Sequence, residues 1–109
     1  MKLTTTLLIL LSAAVLEAGG DALIRSGLRA STFTFRLVWF LAGAIVLFSY
    51  GWVVNAPSWD FGRLLGVYVV FFFVVAQVLS YLVFAQKPSP ALLLGGAFIV
   101  VGGLIISLA

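Results

Sequence analysis

Residues 12–25 read SAAVLEAGGDALIR, a segment that lies inside the first apolar run and carries two of the three carboxylates of the chain. A charge at the centre of a bilayer costs roughly 3 kcal/mol on insertion scales, so an acid found there is a functional candidate by default. Because a helix turns once every 3.6 residues, Glu17, Asp21 and Arg25 follow one another on a single helix face. The sequence therefore predicts an acidic site on this face, within the membrane.

These three charges can be arranged in two ways. Asp21 can pair with Arg25 near the membrane surface, which leaves Glu17 deeper and alone. Desolvation and the like charge of Asp21 then both favour the protonated form of Glu17, and such a carboxyl is suited to exchanging a proton for a cation. Alternatively, Glu17 is a buried polar group that forms a hydrogen bond with a neighbouring helix.

The composition indicates a membrane protein. Of the 109 residues, 64% are hydrophobic and 8% are charged, whereas an ordinary soluble domain has about 25% charged residues. The chain has no Cys and no His, which excludes a Cys/His metal site, a disulfide framework and catalytic dyads built on these residues. We expect no metal, no cofactor and no enzymatic activity, since nothing pairs a nucleophile with a base. The net charge of +3 is too small and too scattered for a nucleic-acid surface.

Four apolar runs are long enough to cross a bilayer as helices. They cover residues 3–24, 35–54, 64–84 and 91–108, with a polar connection at 26–34 and turns at 55–60 and 86–90. The first run could pass for a cleaved leader, but its apolar character continues through Ile24, which favours a span. The sequence thus predicts one all-α membrane domain over residues 1–109, a four-transmembrane-helix bundle.

Basic residues give only a weak orientation signal. The membrane side that holds the first and third connections carries four Lys and Arg residues: Arg25, Arg29, Arg36 and Lys87. The side that holds both termini carries two, Lys2 and Arg63. This bias favours an orientation with both termini on the outer side of the membrane, and it is small enough to allow insertion in both orientations. We expect Arg25 and Arg63 to act structurally or in topology. Arg63 would bind carbonyls of the 55–60 turn or a lipid phosphate.

The fourth run has no charge and contains two glycine pairs, Gly95-Gly96 and Gly102-Gly103. Seven residues make two helical turns, so the pairs form two adjacent stripes along the helix. Glycine lets another backbone come close, and close packing is what drives helices together in lipid. We therefore expect these four glycines at a dimer interface, with packing inside the protomer as the alternative.

The order of these features resembles the small multidrug resistance superfamily, four-span proteins of about this length with a membrane-buried glutamate in the first helix. Glu17 stands where that glutamate would stand, and Gly95 and Gly102 are similar to the dimerisation heptad of the last helix. The YnfA-like branch is more similar still. Its third segment opens with Gly-Arg and has a Tyr five residues later, as do Gly62-Arg63 and Tyr68 here.

The resemblance implies a multi-pass protein of the bacterial inner membrane that exports small cationic or amphipathic compounds in exchange for protons. It implies a dimer, parallel or antiparallel, in which protons and substrate share Glu17 of both subunits; a pair with another small membrane protein is also open. Candidate residues beside Glu17 in the binding site are Asp21 and the aromatic residues Trp39, Tyr50 and Tyr68.

Two departures from the superfamily pattern keep other functions open. The third run reads Val69-Val70-Phe71 where relatives often have a glycine hinge, and Asp21 is an extra acid. One alternative is a non-transporting scaffold or helper subunit of a larger membrane assembly. Another is a subunit that flips a lipid-linked head group, in which Gln77 and Tyr81 would matter more than Glu17.

Overall fold

The computed structural model describes residues 2–109 and contains four helices: α1 (Leu3–Arg29), α2 (Phe33–Val54), α3 (Phe61–Phe84) and α4 (Pro90–Ser107). Each helix is long and apolar enough to cross a membrane, since a span requires about 20 mostly apolar residues. No strand occurs among the described residues. The predicted all-α class is confirmed, and each predicted run corresponds to one helix.

The end of α1 differs most from the prediction. The sequence predicted a polar connection at residues 26–34, but α1 continues to Arg29 and the connection is reduced to three residues, 30–32. Gly27 explains the difference. It lies within α1 at a close contact with α2, and it does not break the helix. A Cβ at this position would lie 2.6 Å from the ring of Phe40 in α2, so the last turns of α1 pack closely on α2.

The starts of α2 and α4 follow from side-chain caps. The Oγ1 atom of Thr32 accepts a hydrogen bond from the N–H of Phe35 at 3.4 Å, and the Oγ atom of Ser89 accepts one from the N–H of Leu92 at 3.1 Å. Pro90 occupies the start of α4, where its fixed φ suits a helix and its missing N–H is not needed. The chain reverses between α2 and α3 at residues 55–60, as predicted, and between α3 and α4 at residues 85–89.

The helices lie side by side in the order α2, α1, α3, α4. α1 packs on both α2 and α3, whereas α4 packs only on α3 among the described residues. The resulting body is flattened, with extents of 48 × 34 × 19 Å. A buried cluster joins α1 to α3 and the end of α2, and it consists of Leu10, Ala13, Ala14, Val54, Leu64, Val67 and Tyr68. α1 is thus the element that positions its two neighbours.

Glycines lie at close contacts between α1 and α2 and between α3 and α4. Between α1 and α2, a Cβ at Gly43 would lie 3.2 Å from the carbonyl oxygen of Gly20. Between α3 and α4, a Cβ at Gly66 would lie 2.9 Å from Ile106. Because lipid supplies no hydrophobic force between helices, such close approaches are a main source of their association.

α3 ends at Ala85, which has a left-handed backbone conformation with φ of 54°. The N–H of Ala85 donates to the carbonyl of Tyr81, and the N–H of Gln86 donates to that of Ser80. This pattern normally uses glycine at the left-handed position. Alanine there is strained by roughly 1–2 kcal/mol, because its Cβ crowds the carbonyl.

Ala85→Gly is expected to stabilise the protein by about 0.5–1 kcal/mol, since relief of this strain exceeds the entropy that glycine adds to the unfolded chain. Chemical unfolding in detergent measures the effect. Ala44→Gly is the control, because Ala44 is exposed in the interior of α2 and should lose about 1 kcal/mol. Destabilisation by both substitutions would show that the end of α3 is unstrained.

Candidate functional site

Glu17 accepts a hydrogen bond from the hydroxyl of Tyr68, with 2.8 Å between the phenolic oxygen and Oε1. Glu17 is half-buried on α1, and Tyr68 is only 4% exposed on α3. The bond therefore links the two helices at the centre of the layer. It also gives a partner to a carboxyl that would be very unfavourable alone in a membrane.

An aromatic wall surrounds this hydrogen bond. The ring of Tyr68 lies 5.7 Å from the ring of Tyr50 and 6.4 Å from that of Phe72, measured between centroids. With Glu17, Leu65 and Val69, these residues line a cavity of about 240 Å³. Aromatic faces attract cations, and the carboxylate would supply the opposite charge. Binding pockets usually measure about 300–1,000 Å³, so this cavity is smaller than a typical site.

Phe72 is the member of this wall that the sequence analysis missed. It follows Tyr68 by four residues, so the two side chains lie one turn apart on the same face of α3. The spacing could have revealed it once Tyr68 was taken as a site residue. The triplet Phe71 to Phe73 obscured that signal, because apolar residues surround this part of α3 on every side.

The position of Arg25 indicates how deep Glu17 lies. The guanidinium of Arg25 is 5.2 Å from the centroid of the Phe84 ring, at the last residue of α3. Glu17 precedes Arg25 by eight residues, which is about 12 Å along a helix. Since the hydrocarbon core of a bilayer is about 30 Å thick, Glu17 lies well inside it.

Asp21 and Arg25 line a second cavity of about 230 Å³, together with Ser80, Gln86 and the ring of Phe72. The expected ion pair is not formed. No salt bridge joins Asp21 to Arg25 within residues 2–109, and the guanidinium lies against Phe84 instead. Phe72 borders both cavities. Polar groups therefore lead from the membrane face at Gln86, past Asp21, towards Glu17.

Trp39 does not join the aromatic wall. Its Cβ lies 3.1 Å from the Cβ position of Gly27, and Gly27 is ten residues, or about 15 Å, beyond Glu17 along α1. The side chain is 38% exposed. Within one chain Trp39 thus lies away from Glu17, because α2 runs antiparallel to α1 and its beginning faces the end of α1.

Arg63 joins the start of α3 to the end of α4. One Nη nitrogen donates a hydrogen bond to the carbonyl oxygen of Ser107 at 2.8 Å, and the guanidinium carbon lies 4.3 Å from the centroid of the Trp59 ring. We expected hydrogen bonds to carbonyls of the 55–60 turn or to a lipid phosphate. The turn instead provides the aromatic ring, while the hydrogen bond goes to a free carbonyl at the last turn of α4.

The two glycine stripes of α4 have different surroundings. Gly96 and Gly103 are buried, and a Cβ at these positions would collide with Phe73 and Val70 of α3. Their expected place at a dimer interface is corrected, because α3 of the same protomer already occupies that stripe. A Cβ at Gly95 or Gly102 would meet nothing within 4 Å, so that stripe is available to another molecule.

Four apolar helices and a carboxyl–tyrosine bond between two of them define a small multi-pass membrane protein with a polar site inside the bilayer. The chain belongs to the family described as "Uncharacterised BCR, YnfA/UPF0060 family", whose model matches residues 3–109. That family is part of the group of small membrane proteins similar to the small multidrug resistance proteins, as the sequence predicted. No curated protein and no solved structure matched the chain.

Tyr68→Phe is expected to lower the free energy of unfolding by about 1–2 kcal/mol, because the half-buried Glu17 loses its donor. Tyr50→Phe is the matched control, since it removes a hydroxyl from the same wall that makes no bond to Glu17, and it should change stability by less than about 0.5 kcal/mol. Unfolding in detergent compares the two variants. Equal effects would contradict a specific role for the Tyr68 hydroxyl.

Proposed function

We propose that the protein is a proton-coupled exporter of small cationic or amphipathic compounds, working as a homodimer in the bacterial inner membrane with Glu17 as the central residue. The cavity that Glu17 lines with Tyr50, Tyr68 and Phe72 supports this most strongly, because a structural carboxyl bonded to Tyr68 would need no such space. Glu17 thus lies inside the bilayer, has one hydrogen-bond partner and faces a space that a ligand can enter.

A proton and a cation would compete for the same carboxyl. Protonated Glu17 is neutral and has little attraction for a cation, whereas ionised Glu17 attracts one strongly because the surroundings have a low dielectric constant. The faces of Tyr50 and Phe72 add attraction for the apolar and charged parts of the ligand. Asp21 contributes a second negative charge on the route from the membrane face, which raises the local concentration of cations.

A second protomer would complete this site. One protomer is a flattened layer, and its cavity at Glu17 is below the usual size for a binding pocket. Membrane carriers commonly place the site between repeats or protomers. The stripe of Gly95 and Gly102 offers a contact for another helix, in either relative orientation or with another small membrane protein.

The alternative functions receive less support. Gln77 and Tyr81, which would matter most for flipping a lipid-linked head group, line none of the cavities at Glu17 or Asp21. A scaffold would have no need of a carboxyl that faces a cavity. It becomes the better explanation if the experiment below detects neither ligand binding nor proton release.

The test is proton release from purified protein in weakly buffered detergent when tetraphenylphosphonium, a lipophilic cation, is added. The parent protein is expected to release protons as the cation displaces them from Glu17, and Glu17→Gln is expected to abolish the release. Asp60→Asn is the matched control, because Asp60 is an exposed carboxylate before α3. Release that persists in Glu17→Gln would show that Glu17 is structural.

Glycine substitutions in α4 test the assembly. Gly102→Leu and Gly95→Leu are expected to weaken dimers about tenfold or more without unfolding the protomer, because a Cβ at either position meets nothing within 4 Å. Gly103→Leu should instead destabilise the protomer by about 1–3 kcal/mol through overpacking against Val70. Crosslinking and mass in lipid measure the dimers.

Gly51→Leu is the control for these variants, since Gly51 is an equally open glycine on α2. A protein that stays fully dimeric with both Gly95→Leu and Gly102→Leu would exclude this stripe as the interface. A parent protein that is monomeric in lipid at every concentration would exclude the two-subunit carrier.

A further inference from the structure

A larger cavity, of about 480 Å³, lies on the other side of α3. It lies between α1 and α4, which both pack on α3 but whose backbones do not come close to each other within the described residues. Its walls are almost entirely apolar, with Leu3 and Leu7 on α1, Val67 and Phe71 on α3, and Val100 and Leu104 on α4. The volume is twice that of the cavity at Glu17. We call this cavity the α1–α4 groove.

The groove runs from one membrane face towards the bilayer centre. Its outer end lies where α1 and α3 begin and α4 ends, at Leu3, Arg63 and Ser107. Along α3 it extends from Arg63 to Phe71, eight residues or about 12 Å of helix. The lining is therefore apolar over a depth that corresponds to one leaflet of the hydrocarbon core.

Among residues 2–109, Arg63 is the only charged residue that lines the groove. The Ser107 carbonyl and the Trp59 ring hold the guanidinium in place at the outer end. The hydrogen bond to Ser107 uses one of its five N–H donors, and no carboxylate of the described residues forms a salt bridge with it. Lys2 precedes Leu3, so it adds a second positive charge at the same membrane face.

We propose that the α1–α4 groove binds a phospholipid with an anionic head group, with the phosphate at Arg63 and one acyl chain between α1 and α4. An acyl chain matches the apolar walls and their direction across the leaflet. The guanidinium matches a phosphate, to which it can donate two hydrogen bonds. A net negative head group is favoured because Arg63 lines the groove, whereas Asp60 at the same end is exposed and does not line it. The bound lipid would also cover the surface of α3 that lines the groove, which no helix of the described residues covers.

The experiment measures lipid binding to delipidated protein in neutral detergent by native mass spectrometry, without any transport assay. Phosphatidylglycerol is compared with phosphatidylcholine carrying the same acyl chains. Phosphatidylglycerol is expected to bind about fivefold more tightly, the effect of one cation near a membrane surface. Arg63→Gln should remove this preference. Arg29→Gln, which removes an exposed cation at the opposite end of the helices, should retain it.

Two further variants separate binding from folding. Arg63→Lys keeps the positive charge, so the preference for phosphatidylglycerol should persist even if the loss of the planar fork weakens the contact with Ser107. Val100→Phe fills the groove and leaves Arg63 in place. It should weaken binding of both lipids several-fold while the ratio between them stays the same, because the chain and the head group are recognised at different ends.

Several results would overturn the proposal. Equal losses in Arg63→Gln and Arg29→Gln would show that binding follows net charge alone. Glycerol phosphate that competes at the same concentration as phosphatidylglycerol would show that the acyl chain contributes nothing. Val100→Phe that leaves lipid affinity unchanged but separates dimers would identify a second copy of the chain as the occupant.

Discussion

Close contact between α1 and its neighbours is the constraint on which the arrangement depends. Lipid is as apolar as the helix surfaces, so the helices gain little from hiding apolar side chains and must gain from close packing. Gly20 meets Gly43 across the α1–α2 contact, and Ala13 and Ala14 are fully buried where the core cluster joins α1 to α3. This packing fixes the rotation of α1, which turns Glu17 towards Tyr68. A carboxyl can remain in the bilayer here because this packing brings the hydroxyl of Tyr68 within hydrogen-bond distance.

The sequence predicts the four spans well because their lengths and apolar composition follow directly from the thickness of a bilayer. Glu17 and Tyr68 could also be singled out, the first from the cost of burying a charge and the second from a family resemblance. Their mutual hydrogen bond could not be predicted. It depends on the register between α1 and α3, which are separated by an entire helix and two connections in the chain.

The remaining errors have a common physical origin. α4 is apolar all round, so nothing in its sequence tells which glycine stripe faces α3 and which faces outward. The same applies to Phe72, hidden among apolar neighbours. Arg63 was assigned to the turn that precedes it in the sequence, and Trp39 was a candidate for the aromatic wall only by its residue type. Their real contacts are set by the antiparallel course of the helices, which brings the end of α4 to Arg63 and the end of α1 to Trp39.

The distribution of glycine contacts divides the protein into two helical hairpins. α1 and α2 are joined through Gly20, Gly27 and Gly43, while α3 and α4 are joined through Gly66, Gly96 and Gly103 and by the bond from Arg63 to Ser107. Larger side chains and the single bond between Tyr68 and Glu17 connect the hairpins. Packed units with different internal contacts can slide past each other by small shear movements. A protein built in this way can shift one hairpin against the other without bending α3, and within the described residues the hydrogen bond between Tyr68 and Glu17 is the one that such sliding would break.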